Sequence, residues 1–335
     1  MTDRNQHIEG FLAQQGWAGA DRGTLADDAS FRRYERIVLN GKSAVLMDAP
    51  PEIEDVRPFI TVAAILNGME LSAPKLIARD PEQGFLLLED LGDDTYTQVL
   101  SNAPNREEEL YMLAVDLLIA LHRRYSASSS IPSYDDTRLA AETDLLLEWY
   151  LPAVTGKTVT DSARRAYHAL WRPLFALTRT IPESLVLRDY HVDNLIWLPQ
   201  RSGVGACGLL DFQDAVVGPA AYDLVSLLED ARRNVPADLA GRAIDRYLAA
   251  FPEIDSESFR IAYAILGAQR NAKILGIFTR LDRRDLKPDY LCHIPRIWRW
   301  LSEDLRHPAL SEMRAWFEDA LPPDSRTTPV QLTEQ

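Results

Sequence analysis

Two short acidic segments carry the strongest candidates for chemistry in this chain. The first, Leu187-Arg188-Asp189-Tyr190-His191-Val192-Asp193-Asn194, fits Arg-Asp-x-x-x-x-Asn. The second, Leu209-Leu210-Asp211-Phe212-Gln213-Asp214, follows a predicted strand and sets Asp211 17 residues after Asn194. Moving a phosphoryl group onto a hydroxyl needs a carboxylate that orients the hydroxyl and accepts its proton. It also needs oxygen ligands nearby that hold magnesium against the phosphates. Asp189 is the candidate base, and Asn194 and Asp211 are the candidate magnesium ligands. Either segment alone would pass for an ordinary polar turn. Their joint occurrence, in this order and at this spacing, favours the chemical reading.

Both segments need a scaffold. Arg33–Leu39 and Lys42–Met47 flank Asn40-Gly41, a pair suited to the positive φ angles of a type I′ turn, so a hairpin is expected. Pro50-Pro51 ends its second strand. Residues 6–15 read as a short helix, and residues 55–67 carry apolar positions at helical spacing, with Gly68 as the stop. Lys75–Arg79 and Phe85–Glu89 read as strands joined by a turn over residues 80–84. Beyond Asp94 the pattern becomes mainly helical. Helices are expected over 105–124, 137–150, 160–180, 219–233, 237–251, 256–280 and 290–305, interrupted by short strands near 195–198 and 207–210. The expected fold is α+β and two-lobed. A small antiparallel-sheet lobe, 1–91, would meet a larger helical lobe, 92–321, at a hinge near 89–94, with a disordered tail at 322–335.

Composition narrows the function classes. The formal net charge is -14, which repels polyanions, and no Lys/Arg run offers a basic patch, so nucleic acid is not an expected partner. Cys207 and Cys292 are far apart and suggest neither a disulfide framework nor a metal motif; both are expected to be reduced and buried. The N-terminus lacks an apolar signal core, and no run approaches a membrane span, so a cytoplasmic protein without membrane contact is expected. A monomer is the simplest expectation.

The two acidic segments resemble the aminoglycoside phosphotransferase family of kinase-like enzymes, whose patterns run His-Gly-Asp-x-x-x-x-Asn and Ile-Asp-Phe-x-Asp. Gly218-Pro219-Ala220-Ala221-Tyr222-Asp223-Leu224 is similar to the segment that follows in that family. The resemblance spans residues 25–305. It implies the protein-kinase-like fold, ATP and Mg2+, with Asp214 and Asp223 in structural support of the catalytic loop. It also implies that Phe85–Gly92 is the interlobe hinge, with the backbone of Glu89 and Leu91 meeting adenine. Met47 stands where kinases carry a phosphate-binding lysine, and the expected phosphate-covering turn, Asp28–Tyr34, has no Gly-x-Gly. Arg32 or Arg33 is the expected replacement cation, and Ser30 an added donor.

On the acceptor side, the predicted helix near Tyr263–Phe278 sets Gln269, Arg270, Asn271 and Lys273 among apolar residues. Polar groups on a mostly covered helix need partners, and a cleft holding a hydroxyl- and amide-rich ligand would supply them. Segments 269–281, 187–195, 28–34 and 47–51 resemble one branch of the family, the bacterial anomeric sugar kinases that act on N-acetylmuramate and N-acetylglucosamine at C1 during cell-wall recycling. That resemblance implies an amino sugar as the small-molecule partner beside ATP. His191 either contacts the sugar or stabilises its loop, and Arg270 is the expected partner of a lactyl carboxylate. Rival readings are the same fold with another acceptor (an aminoglycoside, choline, homoserine or a different sugar), a nucleotide-binding pseudokinase, and a metal hydrolase. Choline would call for an aromatic cage drawn from Trp149, Tyr150, Trp298 and Trp300.

Overall fold

A computed structural model describes residues 2–27 and 32–330. The strands are β1 (Asp21–Asp27), β2 (Arg33–Leu39), β3 (Lys42–Asp48), β4 (Leu76–Asp80), β5 (Phe85–Glu89), β6 (Glu183–Val186), β7 (Leu195–Trp197), β8 (Cys207–Leu209) and β9 (Val216–Pro219). The helices are α1 (Thr2–Gln14), α2 (Arg57–Gly68), α3 (Tyr96–Asn102), α4 (Glu107–Arg124), α5 (Asp136–Leu145), α6 (Leu151–Thr155), α7 (Asp161–Thr178), α8 (Tyr222–Leu228), α9 (Ala237–Ala250), α10 (Ser256–Arg283), α11 (Ile294–Asp304) and α12 (Ser311–Ala320). By packing, the chain forms two compact units. Met1–Arg124 joins Val192–Ala215 in one, and Tyr125–His191 joins Val216–Gln335 in the other. The unit that holds the large sheet therefore includes α3, α4 and the β7–β8 pair, and is larger than residues 1–91. The hinge expected near 89–94 concerns motion, on which packing has no bearing.

In the first unit, five antiparallel strands run in the order β1-β2-β3-β5-β4. Asn40 and Gly41 both take positive φ, 52° and 77°, and the strands they join pair in register from Arg33↔Asp48 to Leu39↔Lys42. One face of the sheet is covered by α1, whose Ile8, Phe11 and Leu12 pack on Ile37, Ala44, Leu46, Phe85 and Leu87. The alternating residues Tyr34, Arg36 and Val45 line a cavity on the other face. Gly84 (φ 71°) closes the β4–β5 turn against Ala49. A Cβ there would lie 1.8 Å from the Ala49 carbonyl oxygen, so only glycine fits. Strand β1 was not expected. Its sequence is polar, and it is held by its ladder to β2 rather than by an apolar face of its own.

The second unit is organised around α10, 28 residues long and buried along most of its length. Helix α5 ends in a π-helical turn, Leu146–Tyr150, beside Gly276 of α10. A Cβ on Gly276 would lie 2.2 Å from the Leu145 carbonyl carbon, so the missing side chain permits this close approach. Strands β6 and β9 pair antiparallel and flank the Asp189 loop in sequence. The helix expected over 219–233 shrinks to α8. Residues 216–219 are committed to pairing with β6, and the chain leaves the helix at Glu229. Within 322–330, the Thr327 carbonyl accepts from Tyr150 Oη at 2.8 Å, and the Val330 carbonyl accepts from Arg283 at 2.6 Å. The rest of the expected tail lies outside the described residues. Cys207 is buried, whereas Cys292 is exposed, contrary to expectation, because it sits in a short 3-10 turn ahead of α11. Among the described residues, no helix is long and apolar enough to cross a membrane.

Candidate active site

In the first unit a cavity of about 450 Å3 opens against β5 and the segment that follows it. Leu25, Val45, Leu88, Leu91, Ile196 and Leu210 supply an apolar lining, while Asp193, Asn194 and Asp211 line it with polar groups. The rim is built by salt bridges that sequence reasoning missed. Arg36 on β2 donates to both carboxylate oxygens of Asp90, at 2.7 and 3.0 Å, and to Asp93 at 2.8 and 2.9 Å. Arg201 reaches Glu89 at 2.6 Å. The Glu89 N–H donates to the Lys75 carbonyl at 2.8 Å, so of its backbone groups only the carbonyl can serve a ligand. The Leu91 backbone makes no hydrogen bond among the described residues.

At the polar lining, Asn194 Nδ2 lies 3.4 Å from Asp211 Oδ2. Asp211 Oδ1 accepts from Gln213 Nε2 at 2.9 Å and from Arg32 at 3.3 Å. The β7–β8 pair sets this spacing: Leu195 opposes Leu209, and the Leu210 N–H donates to the Asn194 carbonyl at 2.9 Å. Asp211 itself is left-handed (φ 55°), a conformation that costs residues with a Cβ some strain. An amide oxygen and a carboxylate suit a hard divalent ion that takes most of its ligands from water and phosphate. Among the described residues, no group of three or more His, Cys, Asp and Glu forms a closed metal cage. Met47 is fully buried two residues along β3 from Val45, on the cavity face. Among the described residues, Arg32 is a cation that reaches Asp211; Arg33 is exposed. Ser30 lies outside the described residues.

The Asp189 loop belongs to the second unit. Its backbone is pinned by Asp223, a fully buried residue of α8 whose two oxygens accept from the Leu187 N–H at 2.6 Å and the Arg188 N–H at 2.9 Å. Burial pushes the Asp223 carboxyl up to about 7, although both N–H donors pull the other way. Arg188 is left-handed (φ 71°), and its carbonyl accepts from Ser226 Oγ at 3.2 Å. Its guanidinium reaches Glu142 of α5. Asp189 is half-buried. His191 is buried, with Nε2 3.4 Å from Arg232. Asp214, in the first unit, is exposed.

The polar residues of α10 do find partners, but these are protein acids. Gln269 Nε2 donates to Glu142 at 3.1 Å, and Lys273 Nζ lies 3.1 Å from the same carboxylate. Asn271 Nδ2 bridges Glu229 at 2.7 Å and Asp304 at 3.0 Å. Arg270 faces the Glu229 carbonyl at 3.4 Å. Gln269 and Asn271 are fully buried and meet buried carboxylates. Arg270 is 4% exposed and turned toward the Glu229 backbone carbonyl. Glu142 carried a legible signal. Leu139, Glu142, Thr143 and Leu146 form an i, i+3, i+4, i+7 face, so this acid interrupts a helical core stripe.

Burial raises the carboxyls of both Glu229 and Asp304, and mutual repulsion adds to the rise at Asp304. A raised acid stabilises the fold fully below its unfolded pKa, and that stability is lost as pH climbs through the folded value. Chemical unfolding should therefore show lower stability at pH 8 than at pH 5.5, by a few kcal/mol on the order of magnitude of such shifts. Glu229→Gln should flatten this dependence. An unchanged slope would show that the pair is not its source.

A five-stranded antiparallel sheet followed by a helical region, with an Arg-Asp-x-x-x-x-Asn loop and an acid after the next hairpin strand, defines a kinase-like phosphotransferase. The chain matches the phosphotransferase enzyme family over residues 23–259 and belongs to it. It is 38% identical to an N-acetylmuramate/N-acetylglucosamine kinase of Caulobacter vibrioides, across 97% of this chain and 99% of that protein. A protein of the same name from Pseudomonas aeruginosa is also 38% identical, across 90% of each. Among solved structures, a choline kinase from Streptococcus pneumoniae shares the fold, with a TM-score of 0.60, 14% identity, and coverage of 92% of this chain and 99% of that one.

Proposed function

We propose that this protein is an ATP-dependent kinase that phosphorylates the anomeric hydroxyl of N-acetylmuramate and N-acetylglucosamine, yielding the α-1-phosphate for cell-wall recycling in the cytoplasm. The observation that carries phosphoryl transfer is the Asn194–Asp211 pair lining a cavity beside β5, with Arg32 reaching Asp211. The acceptor rests on the near full-length similarity to the two kinases named above. Adenine lies against the apolar lining, with the Glu89 carbonyl and the Leu91 backbone as its hydrogen-bonding edge. Asn194 and Asp211 hold magnesium, which when bound neutralises charge on the phosphates. Asp189 orients the anomeric hydroxyl and takes its proton as oxygen attacks the γ-phosphorus and the bond to ADP breaks. That hydroxyl is more acidic than other sugar alcohols, so Asp189 is an adequate base. His191 from the loop and Gln269, Arg270, Asn271 and Lys273 from α10 are the acceptor-side candidates.

The choline reading is weakened by its aromatic residues. Trp298 Nε1 donates to Tyr150 Oη at 2.7 Å, both rings are buried, and Arg299 lies 4.5 Å from the Trp300 ring centre, so these side chains are already engaged. The test is ADP release with magnesium over a panel of amino sugars, choline and aminoglycosides, followed by phosphorus NMR of the product. A phosphate at any position other than C1, or preferential turnover of choline or an aminoglycoside, rules the proposal out.

Arg32 and Arg33 separate in this reading. Arg32→Ala should weaken nucleotide binding by roughly ten- to hundredfold, the loss of one charge-assisted phosphate contact worth about 1.5–3 kcal/mol. Arg33→Ala should change it by less than about twofold, as expected for an exposed surface residue. Calorimetric titration with an ATP analogue checks both. Equal effects would mean that Arg32 is not the replacement cation.

A further inference from the structure

Glu142 lies at the centre of a buried charge network that the reaction described above leaves without a role. It projects from α5 with its side chain 11% exposed and receives four donors. Arg188 and Tyr134 bond to it from the loops, and Gln269 and Lys273 reach it from α10. One carboxylate thus faces two cations, and both of those cations interact electrostatically with Asp189. Buried beside two cations, Glu142 is held down at about 2 despite desolvation, so it stays ionised. Arg188 immediately precedes Asp189 and is locked in a left-handed conformation, with Asp223 holding its N–H and Glu142 its guanidinium. Both anchors therefore act on the residue that aims the base.

We propose that Glu142 is a positioning residue for Asp189: it fixes the Arg188 guanidinium and the Lys273 ammonium beside the catalytic loop, and so sets both the direction of the Asp189 carboxylate and its readiness to take the acceptor proton. The inference rests on the kinase reading above. Its charge logic predicts opposite effects from two variants. Glu142→Gln leaves two cations without their counter-charge, so Asp189 becomes a weaker base. Lys273→Met removes a cation, so Asp189 holds a proton more tightly. The other groups near Asp189 are His191 on its own loop, Tyr222 and Asp223 at α8, Tyr134 from the preceding loop, and Arg232 against His191. Glu142→Gln also changes the acceptor of Tyr134 Oη, and Lys273→Met removes the Tyr222 contact; the remaining groups keep their partners.

The experiment is the pH profile of kcat for sugar-dependent ADP release in wild type, Glu142→Gln and Lys273→Met, with thermal unfolding as the folding control. Each profile is repeated in a His191→Asn background to separate imidazole titration from that of Asp189. The acid limb should move down by roughly one pH unit in Glu142→Gln and up by a similar amount in Lys273→Met, the size expected for one nearby charge. In Glu142→Gln, kcat should fall roughly tenfold or more while KM for ATP changes by less than about twofold. If Glu142→Gln does not fold, the limb in Lys273→Met decides the question alone. Limbs that stay in place, or that move the same way in both folded variants, overturn the inference. A wild type that releases no ADP with any sugar overturns the kinase reading instead.

Discussion

Asp189→Asn should reduce kcat by roughly a thousandfold or more while leaving KM for ATP within about threefold, the size seen when a positioned general base is removed. The substitution preserves shape. It removes the one property that matters here, the carboxylate proposed to take the acceptor's proton. The loop should keep its course, because its anchors lie in its backbone and in Arg188: Asp223 holds two N–H groups and Glu142 holds the guanidinium. The Asp193, Asn194 and Asp211 lining of the cavity is not altered either, so nucleotide affinity should persist. Steady-state ADP formation with N-acetylglucosamine, paired with an ATP-analogue titration, tests both halves. Retention of more than a tenth of wild-type kcat would rule out the role proposed for Asp189.

The second large effect should come from a residue that is remote from solvent. Asp223→Ala leaves the buried Leu187 N–H and the adjacent Arg188 N–H without an acceptor. Each unsatisfied buried donor costs about 1–3 kcal/mol, so a loss of roughly 2–6 kcal/mol is expected in urea unfolding. Arg188 should then relax from its φ of 71°, which frees Asp189. Activity should drop at least a hundredfold, a larger loss than the unfolded fraction alone accounts for. Asp223→Asn can still offer one oxygen, so it should lose less stability and remain severely impaired in kcat. A fully active and stable Asp223→Ala enzyme would show that the loop is set by β6 and β9 alone.

How much of this was legible in the sequence varies by element. The β2–β3 hairpin was, because Asn40-Gly41 encodes its turn locally. Helix α10 was nearly so: 256–280 was expected and Ser256–Arg283 is observed, since its periodicity needs no knowledge of its neighbours. Strands β1, β6 and β9 were not. Each is short or polar, and each owes its existence to a partner strand that periodicity does not reveal. Helix α8 was overextended at both ends: Pro219 pairs with β6, and the chain leaves the helix at Glu229.

The site divides in the same way. The order and spacing of Asp189, Asn194 and Asp211 are properties of the chain itself, and with the resemblance they carry were enough to point to phosphoryl transfer. What each side chain meets was decided by folding. Arg32 was separated from Arg33 by a contact spanning 179 positions, and Gln269 found Glu142 across 127. Local sequence specifies turn chemistry, helical period and the residue types a reaction needs, because those depend on neighbours a few residues away. The partner of a buried charge depends on which distant segments the core brings together, and only the packed chain fixes that.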